Sequence, residues 1–289
     1  MKRALNFFRK VFYRIFSRSK VINYFYFGPI RKVNRRIRSF LVPKYVIVGR
    51  NKIYIDKYDT LNLDLNRGYG SRFFNSLVAQ NIKEGDVVLN IGANIGYYTL
   101  MLAERVGKTG KVYAFEPAPD NFRLLKKNAE VNNYSNIVPI NKAVSDKTGV
   151  TRLHLDDYNQ GNHGIYKNGT TENSVEVGVV RLDDFLKNEK KIDFILMDAQ
   201  GAELGIFRGM KNLLKKNKKI KIITEFSPLH LEMLGDSSID FLNEIKNYGF
   251  NILDIDENTE KLEKKDFEQL MRENNPKNER FTDLLLKKD

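Results

Sequence analysis

An apolar segment that runs directly into a glycine-rich turn is the feature that most constrains the fold of this chain. Residues 87–91 have the continuous apolar character of a buried strand, and the sequence GANIG at 92–96 follows them before a helix-like segment. A second apolar segment, 112–115, ends at Glu116. A tight turn over a helix N-terminus, with an acid at the tip of the next strand, is typical of sites that hold an adenosine-bearing cofactor.

The spacing of the glycines indicates which cofactor such a turn would hold. A dinucleotide-binding turn has the pattern G-x-G-x-x-G, whereas here Asn94 replaces the middle glycine and Tyr97 the third. A bulky tyrosine would hold the helix away from the strand, which disfavours NAD and FAD. Asn94 suits S-adenosylmethionine, because this cofactor has no pyrophosphate that needs close backbone approach. The alternative is an ordinary turn whose glycines serve only to reverse the chain.

Strand-like and helix-like segments alternate along the rest of the chain. The predicted strands are 87–91, 111–116, 136–144, 150–155, 175–180, 192–198, 219–226, 251–255 and 281–287, and the predicted helices are 70–82, 95–106, 119–131, 202–216 and 238–248. A β-hairpin is predicted within 44–64. This alternation predicts a mainly parallel sheet with helices on both faces, and ligands at the carboxyl ends of its strands.

Asp198 and two histidines are the candidates for chemistry. Asp198 ends the strand predicted at 192–198, so it would face the ligand. It could bind the amino group of the cofactor, orient a substrate hydroxyl or act as a base; alternatively it caps the following helix. His163 and His230 lie in segments expected near the same edge and are candidate general bases, because histidine titrates near neutral pH. The alternative for each histidine is an exposed loop residue.

The first 40 residues carry nearly all of the excess positive charge of the chain. The formal net charge is +13, and this segment contains 12 lysines and arginines and no acid. Apolar residues recur there at helical spacing, at Leu5, Phe8, Phe12, Ile15 and Phe16. We expect a basic amphipathic helix that contacts an anionic membrane surface, in a protein that is cytoplasmic and peripheral at the membrane. The alternatives are a helix that packs on the domain and a flexible tail. The uncharged segment 21–30 is too short to span a bilayer.

The absence of cysteine excludes several classes of site. The chain can have no disulfide framework, no cysteine-ligated zinc or iron–sulfur cluster and no thiol nucleophile. It also cannot methylate a pyrimidine carbon through a cysteine adduct. No metal centre is predicted, although a bound divalent metal could replace the base.

Taken together, the motifs resemble those of the FkbM-type family of S-adenosylmethionine-dependent methyltransferases, over roughly residues 45–287. The matching segments are GANIGYYT at 92–99, FEP at 115–117, AVS at 143–145, VRLDDFL at 180–186 and DFILMDAQGAE at 193–203. The resemblance implies the class I methyltransferase fold, an α/β Rossmann-like sheet of seven strands, mostly parallel, with the last strand antiparallel. We expect three parts: the arm at 1–40, a hairpin and helix at 41–84, and the methyltransferase domain at 85–289.

The resemblance also implies O-methylation of a hydroxyl, commonly on a sugar or a secondary metabolite. The glycine turn would shape the methionine end of the cofactor site, Glu116 would hold the ribose, and Ser145 would lie near the adenine. The residues expected to bind the cofactor are Asn90, Gly92, Asn94, Gly96, Glu116, Ser145 and Asp198. Two positions depart from the family pattern, because Asn90 stands where an acid is usual and Gln200 where a glutamate is usual.

Two other functions stay open at this point. A nucleic-acid methyltransferase could use the basic arm to grip phosphates, but no two prolines are adjacent, so the Asp/Asn-Pro-Pro-aromatic tetrad of amino-methylating enzymes is absent. A non-enzymatic scaffold is favoured only by Asn90 and Gln200. We therefore predict a hydroxyl-bearing small molecule or glycan, with a lipid-linked glycan preferred, as the acceptor, and we do not expect nucleic acid as a partner.

Overall fold

A computed structural model describes residues 43–55, 70–155, 163–165 and 173–288, so the basic arm predicted over 1–40 lies outside the described residues. The strands are β1 (Tyr45–Val48), β2 (Asn51–Tyr54), β3 (Val87–Ile91), β4 (Lys111–Phe115), β5 (Ile137–Ile140), β6 (Ala143–Ser145), β7 (Gly149–His154), β8 (Ser174–Arg181), β9 (Phe194–Met197), β10 (Lys221–Phe226), β11 (Asn251–Asp256), β12 (Lys261–Glu263) and β13 (Thr282–Lys287).

The helices lie between these strands. They are α1 (Arg72–Gln80), α2 (Tyr97–Val106), α3 (Pro119–Val131), α4 (Leu182–Phe185), α5 (Glu203–Gly209), α6 (Lys211–Lys216), α7 (Pro228–Met233), α8 (Ser238–Asn247) and α9 (Phe267–Glu273), with a 3₁₀ turn at Pro276–Asn278. Among the helices of the described segments, none combines the length and the apolar character that crossing a membrane requires.

The central sheet has the strand order β12-β11-β13-β10-β9-β3-β4-β5. Strands β10, β9, β3, β4 and β5 are parallel, and β13 runs antiparallel to both of its neighbours. The predicted class I methyltransferase sheet, with its antiparallel last strand, is confirmed. Its predicted strand number was wrong, because eight strands pair in the described residues: Asp256 accepts from the amides of Asn258 and Thr259 and closes a turn that adds β12 to the edge.

Side chains of the central strands alternate between two apolar cores, one on each face of the sheet. Along β9, Phe194 and Leu196 belong to the core under α1, α2 and α3, whereas Ile195 and Met197 belong to the core under α5 to α8. A parallel strand buried on both faces has to be apolar throughout, as FILM is. These two cores fix the sheet between its helix layers and hold its carboxyl edge in place.

Two of the predicted strands, and part of a third, lie outside the central sheet. The strand predicted over 136–144 is divided into β5 and β6, because the chain leaves the sheet at Asn141, whose side chain donates to the carbonyls of Glu116 and Pro117. The strands predicted at 150–155 and 175–180 correspond to β7 and β8, which form a separate three-stranded sheet with β6 in the order β6-β8-β7. This small sheet stands beside the carboxyl edge of the central one.

Two asparagines, Asn128 in α3 and Asn132 at the C-cap of that helix, dock the β1–β2 hairpin onto the body. The side chain of Asn128 accepts from the Tyr54 amide at 2.7 Å and donates to the Tyr54 carbonyl at 3.0 Å and to the Ile95 carbonyl at 2.8 Å. Asn132 repeats the pattern with the amide and carbonyl of Lys52, both at 2.8 Å.

The helix predicted over 202–216 is broken at Met210, whose φ of −121° and ψ of 27° are not helical.

Candidate active site

A cavity of about 420 Å³ opens at the carboxyl edge of the central sheet. Its wall is formed by residues at and beyond the ends of β3, β4, β9 and β10, by the start of β13 and by the segment 163–165. Ligands of open α/β sheets bind at this edge, where the connections diverge to opposite faces. This cavity is therefore the candidate active site.

The glycine turn after β3 is shaped by close packing against its neighbours. Gly92 has a φ of +80°, and a Cβ atom there would overlap the backbone carbonyl oxygen of Asp198. The amides of Gly92 and Ala93 both donate to the Phe115 carbonyl, at 3.0 and 2.9 Å. A Cβ atom at Gly96 would lie 2.8 Å from Cδ1 of Leu125. The glycines thus let the turn fit tightly between β4, β9 and α3, at the floor of the cavity.

Glu116 lies at the tip of β4 with its carboxylate in the cavity wall. Its Oε2 accepts from the Asn94 amide at 2.7 Å and its Oε1 from the Ala118 amide at 2.8 Å. Burial raises the pKa of Glu116 to about 7, although the two backbone amides oppose this shift. Asn94 adopts a φ of +49° and accepts from the next amide, that of Ile95, through its own side chain. The turn and the acid are therefore locked to each other.

The loop after β9 carries Asp198 and is held by Glu203. The Gln200 side chain donates to Oδ1 of Asp198 at 2.7 Å, and Gln200 has a left-handed backbone with a φ of +50°. Glu203 accepts from the Ala199 amide at 2.8 Å, and burial together with the charge of Glu225 raises the pKa of Glu203 to about 8. Asp198 is open to the cavity but enclosed by protein, and this enclosure raises its pKa.

Glu225 and His230 form a contact in the cavity wall beside the Asp198 loop. Nδ1 of His230 lies 3.2 Å from Oε1 of Glu225, and the His230 amide donates to Ser227 at the start of α7. Burial raises the pKa of Glu225 well above its ordinary value, and burial lowers the pKa of His230. A Cβ atom at Gly201 would overlap the His230 carbonyl, so the Asp198 loop packs directly against this histidine.

The structure brings most of the predicted site residues to one cavity. Those that line it are Asn90, Gly92, Asn94, Glu116, His163, Asp198 and His230. Asn90 is buried and donates to Thr99 at 2.9 Å. Ser145 lies behind the wall, where its hydroxyl donates to Asp146 at 3.2 Å, and Lys142, Ala143 and Val144 line the cavity instead.

Several residues that line the cavity were not predicted from the sequence. Asp283 lies at the start of β13 and is the register partner of Glu225 on β10, and Glu257 lies in the turn after β11. Burial raises the pKa of Asp283 well above its ordinary value, and the charges of Glu225 and Asp198 raise it further. The sequence does contain a signal for Asp283. It is an acid directly before the apolar run Leu284–Leu286, in a segment expected to form the antiparallel last strand.

The cavity wall suits S-adenosylmethionine in its charge and its shape. Glu116 offers carboxylate oxygens where two ribose hydroxyls would donate, and Asp198 offers a negative charge to a cationic methionine end. Apolar atoms of Phe115, Val144 and Leu153 can cover an adenine ring. Among the described residues, no group of three or more histidine, aspartate or glutamate side chains is arranged to hold a metal ion.

A family model fits the part of the chain that contains this site. The model for the methyltransferase FkbM domain matches residues 90–252, more than half of the chain, from β3 through β11. The chain belongs to the FkbM methyltransferase family. Most of the residues that line the cavity, including the glycine turn at the end of β3, lie within this matched range.

Two curated methyltransferases are similar to this chain over part of their own length. Methyltransferase 1 of Beauveria bassiana is 28% identical over 147 residues, which are 43% of this chain and 57% of that protein. The hexuronic acid methyltransferase AglP of Haloferax volcanii is 27% identical over 145 residues, which are 48% of this chain and 56% of that protein. The chain thus spans little more than half the length of these two relatives.

Two solved structures of methyltransferases match this chain at low identity and low TM-score. Fibrillarin of Aeropyrum pernix, solved with S-adenosylmethionine bound, is 15% identical at a TM-score of 0.41, over 75% of each chain. An S-adenosylmethionine-dependent methyltransferase of Aquifex aeolicus is 15% identical at a TM-score of 0.39, over 63% of this chain and 80% of that one. The strand order and strand directions of this chain are themselves those of the class I methyltransferase fold.

Proposed function

We propose that this enzyme transfers a methyl group to a hydroxyl oxygen of a glycan or a similar polyhydroxyl acceptor, with His230 as the base. The observation that carries the proposal is the contact between Glu225 and His230 in the cavity wall, beside Asp198. The relative that acts on a hexuronic acid supports a sugar acceptor. S-adenosylmethionine, when bound, supplies a methyl group on a sulfonium, which a hydroxyl oxygen takes by in-line displacement.

The protonation state of the Glu225–His230 pair decides whether it can act as a base. A carboxylate at Glu225 accepts the Nδ1 proton of His230, and the imidazole then receives the acceptor proton at Nε2. When Glu225 is itself protonated, it donates to Nδ1 and the imidazole proton resides on Nε2. The two groups titrate as a pair. The proposed base is active when this pair of neutral groups has lost one proton, so that Glu225 is a carboxylate and His230 is a neutral imidazole with its proton on Nδ1.

The balance of the reaction needs no further reactant. The C–S bond of the cofactor breaks, a C–O bond to the acceptor forms, and the hydroxyl proton passes to His230. The remaining work of the protein is to orient the reacting groups and to exclude water, which can contribute about 7–11 kcal/mol. Glu116 would position the ribose, Asp198 the cationic end, and Lys142–Val144 the adenine side of the cofactor.

The proposal is tested by following both products of one reaction. The full chain is incubated with S-adenosylmethionine and a panel of mono- and disaccharides, and S-adenosylhomocysteine and methylated sugar are measured by mass spectrometry. We expect equal amounts of the two products with at least one sugar, and a methyl ether in the sugar. A protein that binds the cofactor but methylates no sugar in the panel would contradict the proposal.

A further inference from the structure

We propose that the acceptor carries no negative charge, so that the enzyme methylates neutral polyhydroxyl sugars and rejects hexuronates. This inference rests on the proposed function and narrows its substrate class, and it distinguishes this chain from the relative that acts on a hexuronic acid. The feature behind it is the acceptor half of the cavity, by which we mean Glu225, His230, Glu257 and Asp283, together with Asp198 at its border with the cofactor side.

The strand order divides the cavity into two halves. Chain connections leave β3 and β9, the central pair, toward opposite ends of the sheet. The cofactor side lies over β3, β4 and the start of β6, where Glu116 and Lys142 are found. The acceptor half therefore lies over β9, β10 and β13, on the far side of the position where the methyl group must be presented.

Acids dominate the acceptor half. Asp198, Glu225, Glu257 and Asp283 interact electrostatically, since the charges of Asp198, Glu225 and Glu257 each act on Asp283. Lys142 is the one lysine or arginine among the described lining residues, and it lies on the cofactor side. Among the described lining residues, a carboxylate on the acceptor would have no lysine or arginine beside it in this half. It would either meet like charge or hold the neighbouring acids in their protonated form, and both effects disfavour its binding.

An unpaired acceptor atom in the cavity wall favours a hydrogen-bond donor at one position of the ligand. Oε1 of Gln200 is buried at the cavity wall and has no hydrogen-bond donor, while the amide nitrogen of the same side chain is committed to Asp198. Because Asp198 needs a donor, the orientation of the amide is fixed. A hydroxyl group can donate to Oε1, whereas a carboxylate cannot. A ligand group that contacts Oε1 of Gln200 must therefore be a hydrogen-bond donor.

A matched pair of sugars isolates charge from shape. Methyl glucuronoside and its uronamide differ by one charge and are otherwise nearly isosteric, and methyl glucoside is the neutral parent. With full-length enzyme and saturating S-adenosylmethionine, we expect kcat/KM for each neutral sugar to exceed that for the uronate by about tenfold or more. Cofactor binding is measured by calorimetry on the same sample.

A charge substitution in the wall tests the cause. Glu257→Lys places a cation in the acceptor half, and we expect it to reduce the preference for the uronamide over the uronate by about tenfold. Glu260→Lys makes the same charge change three positions along the same turn, at an exposed residue outside the cavity lining. Glu260→Lys should leave the preference within about twofold of wild type.

The outcomes separate this inference from the proposed function. Equal or better transfer to the uronate, or formation of its methyl ester, overturns the inference while methyl transfer stands. No transfer to either neutral sugar, in a sample that binds S-adenosylmethionine, also overturns it. Failure to bind the cofactor in a folded sample instead contradicts the proposed function.

Discussion

Glu225 and Asp283 are register partners on the antiparallel strands β10 and β13, which places two acids side by side at the ligand edge of the sheet. The last strand is antiparallel, so its first residues reach the same edge as the last residues of the parallel strands. Like charges directly opposite each other in a sheet are destabilising. Burial raises the pKa of each acid well above its ordinary value, and the charge of Glu225 raises the pKa of Asp283 further.

The acids around the cavity predict how stability depends on pH. The pKa of Glu203 is raised to about 8 by burial, against about 4.3 in an unfolded chain. The folded protein therefore binds this proton more tightly, and the free energy of unfolding falls as pH rises from about 4.5 through 8. Glu203→Gln removes this loss and keeps an oxygen for the Ala199 amide. In denaturant unfolding, the variant should gain stability relative to wild type between pH 5 and about 9; a constant difference would contradict the shifted pKa.

Substitutions at the Glu225–His230 pair should affect turnover more than cofactor binding. His230→Gln should lower kcat by roughly 100-fold or more, with the Kd for S-adenosylmethionine nearly unchanged. In wild type, activity should rise with pH as the pair loses its proton, and Glu225→Gln should displace that rise. Steady-state kinetics across pH measures both. Glu232→Gln, an exposed acid on the same helix, is the control; similar kcat values in His230→Gln and the control would rule out His230 as the base.

Gly92 and Gly85 allow backbone strain to be separated from steric overlap. Their φ angles are +80° and +84°, but a Cβ atom at Gly92 would overlap a backbone oxygen whereas one at Gly85 would lie 3.6 Å from Thr109. Gly85→Ala should cost about 1–2 kcal/mol of unfolding free energy, from the left-handed backbone alone. Gly92→Ala should cost at least about 2 kcal/mol more and impair cofactor binding. Equal losses in urea unfolding would show that the Asp198 loop moves away freely.

Asn128 connects the hairpin, helix α3 and the cofactor turn. Asn128→Asp would place a carboxylate oxygen against the carbonyls of Tyr54 and Ile95, where an amide now donates. We expect a loss of about 3 kcal/mol or more, because two buried acceptors lose their donor and a charge is buried. Asn133→Asp, at an exposed position beyond the same helix, should change the free energy of unfolding by less than about 0.5 kcal/mol. Equal effects of the two substitutions would mean that these contacts contribute little.

The central sheet was predictable from the sequence because its strands and helices have distinct patterns. Strand β3 and helix α3 have the bounds predicted for them, 87–91 and 119–131. An apolar strand followed by a turn over a helix end leaves few alternatives, and Glu116 follows directly from that unit. The positions of Asn94, Asp198 and His230 around one cavity follow from the shared edge of the parallel strands.

Local sequence patterns did not predict which strands pair with each other, or which residues face each other across strands that are far apart in sequence. Apolar alternation identifies β7 and β8 as strands but does not say that they pair outside the central sheet, since local pattern carries no information on partners. Asp283 enters the site only because β13 pairs with β10, across a large separation in sequence. The break at Met210 directly follows Gly209, where a Cβ atom would overlap the Ser145 carbonyl, and a helical pattern reveals neither the break nor this close approach.

The most direct test of the account is calorimetric titration of the folded chain with S-adenosylmethionine and S-adenosylhomocysteine. We predict low-micromolar binding of both ligands at one site per chain. Glu116→Ala should weaken both by about tenfold or more through loss of the ribose partner, whereas Asp120→Ala, on the exposed start of α3, should not. No binding of either ligand to the folded wild-type chain would contradict the central claim that this cavity is the cofactor site of a methyltransferase.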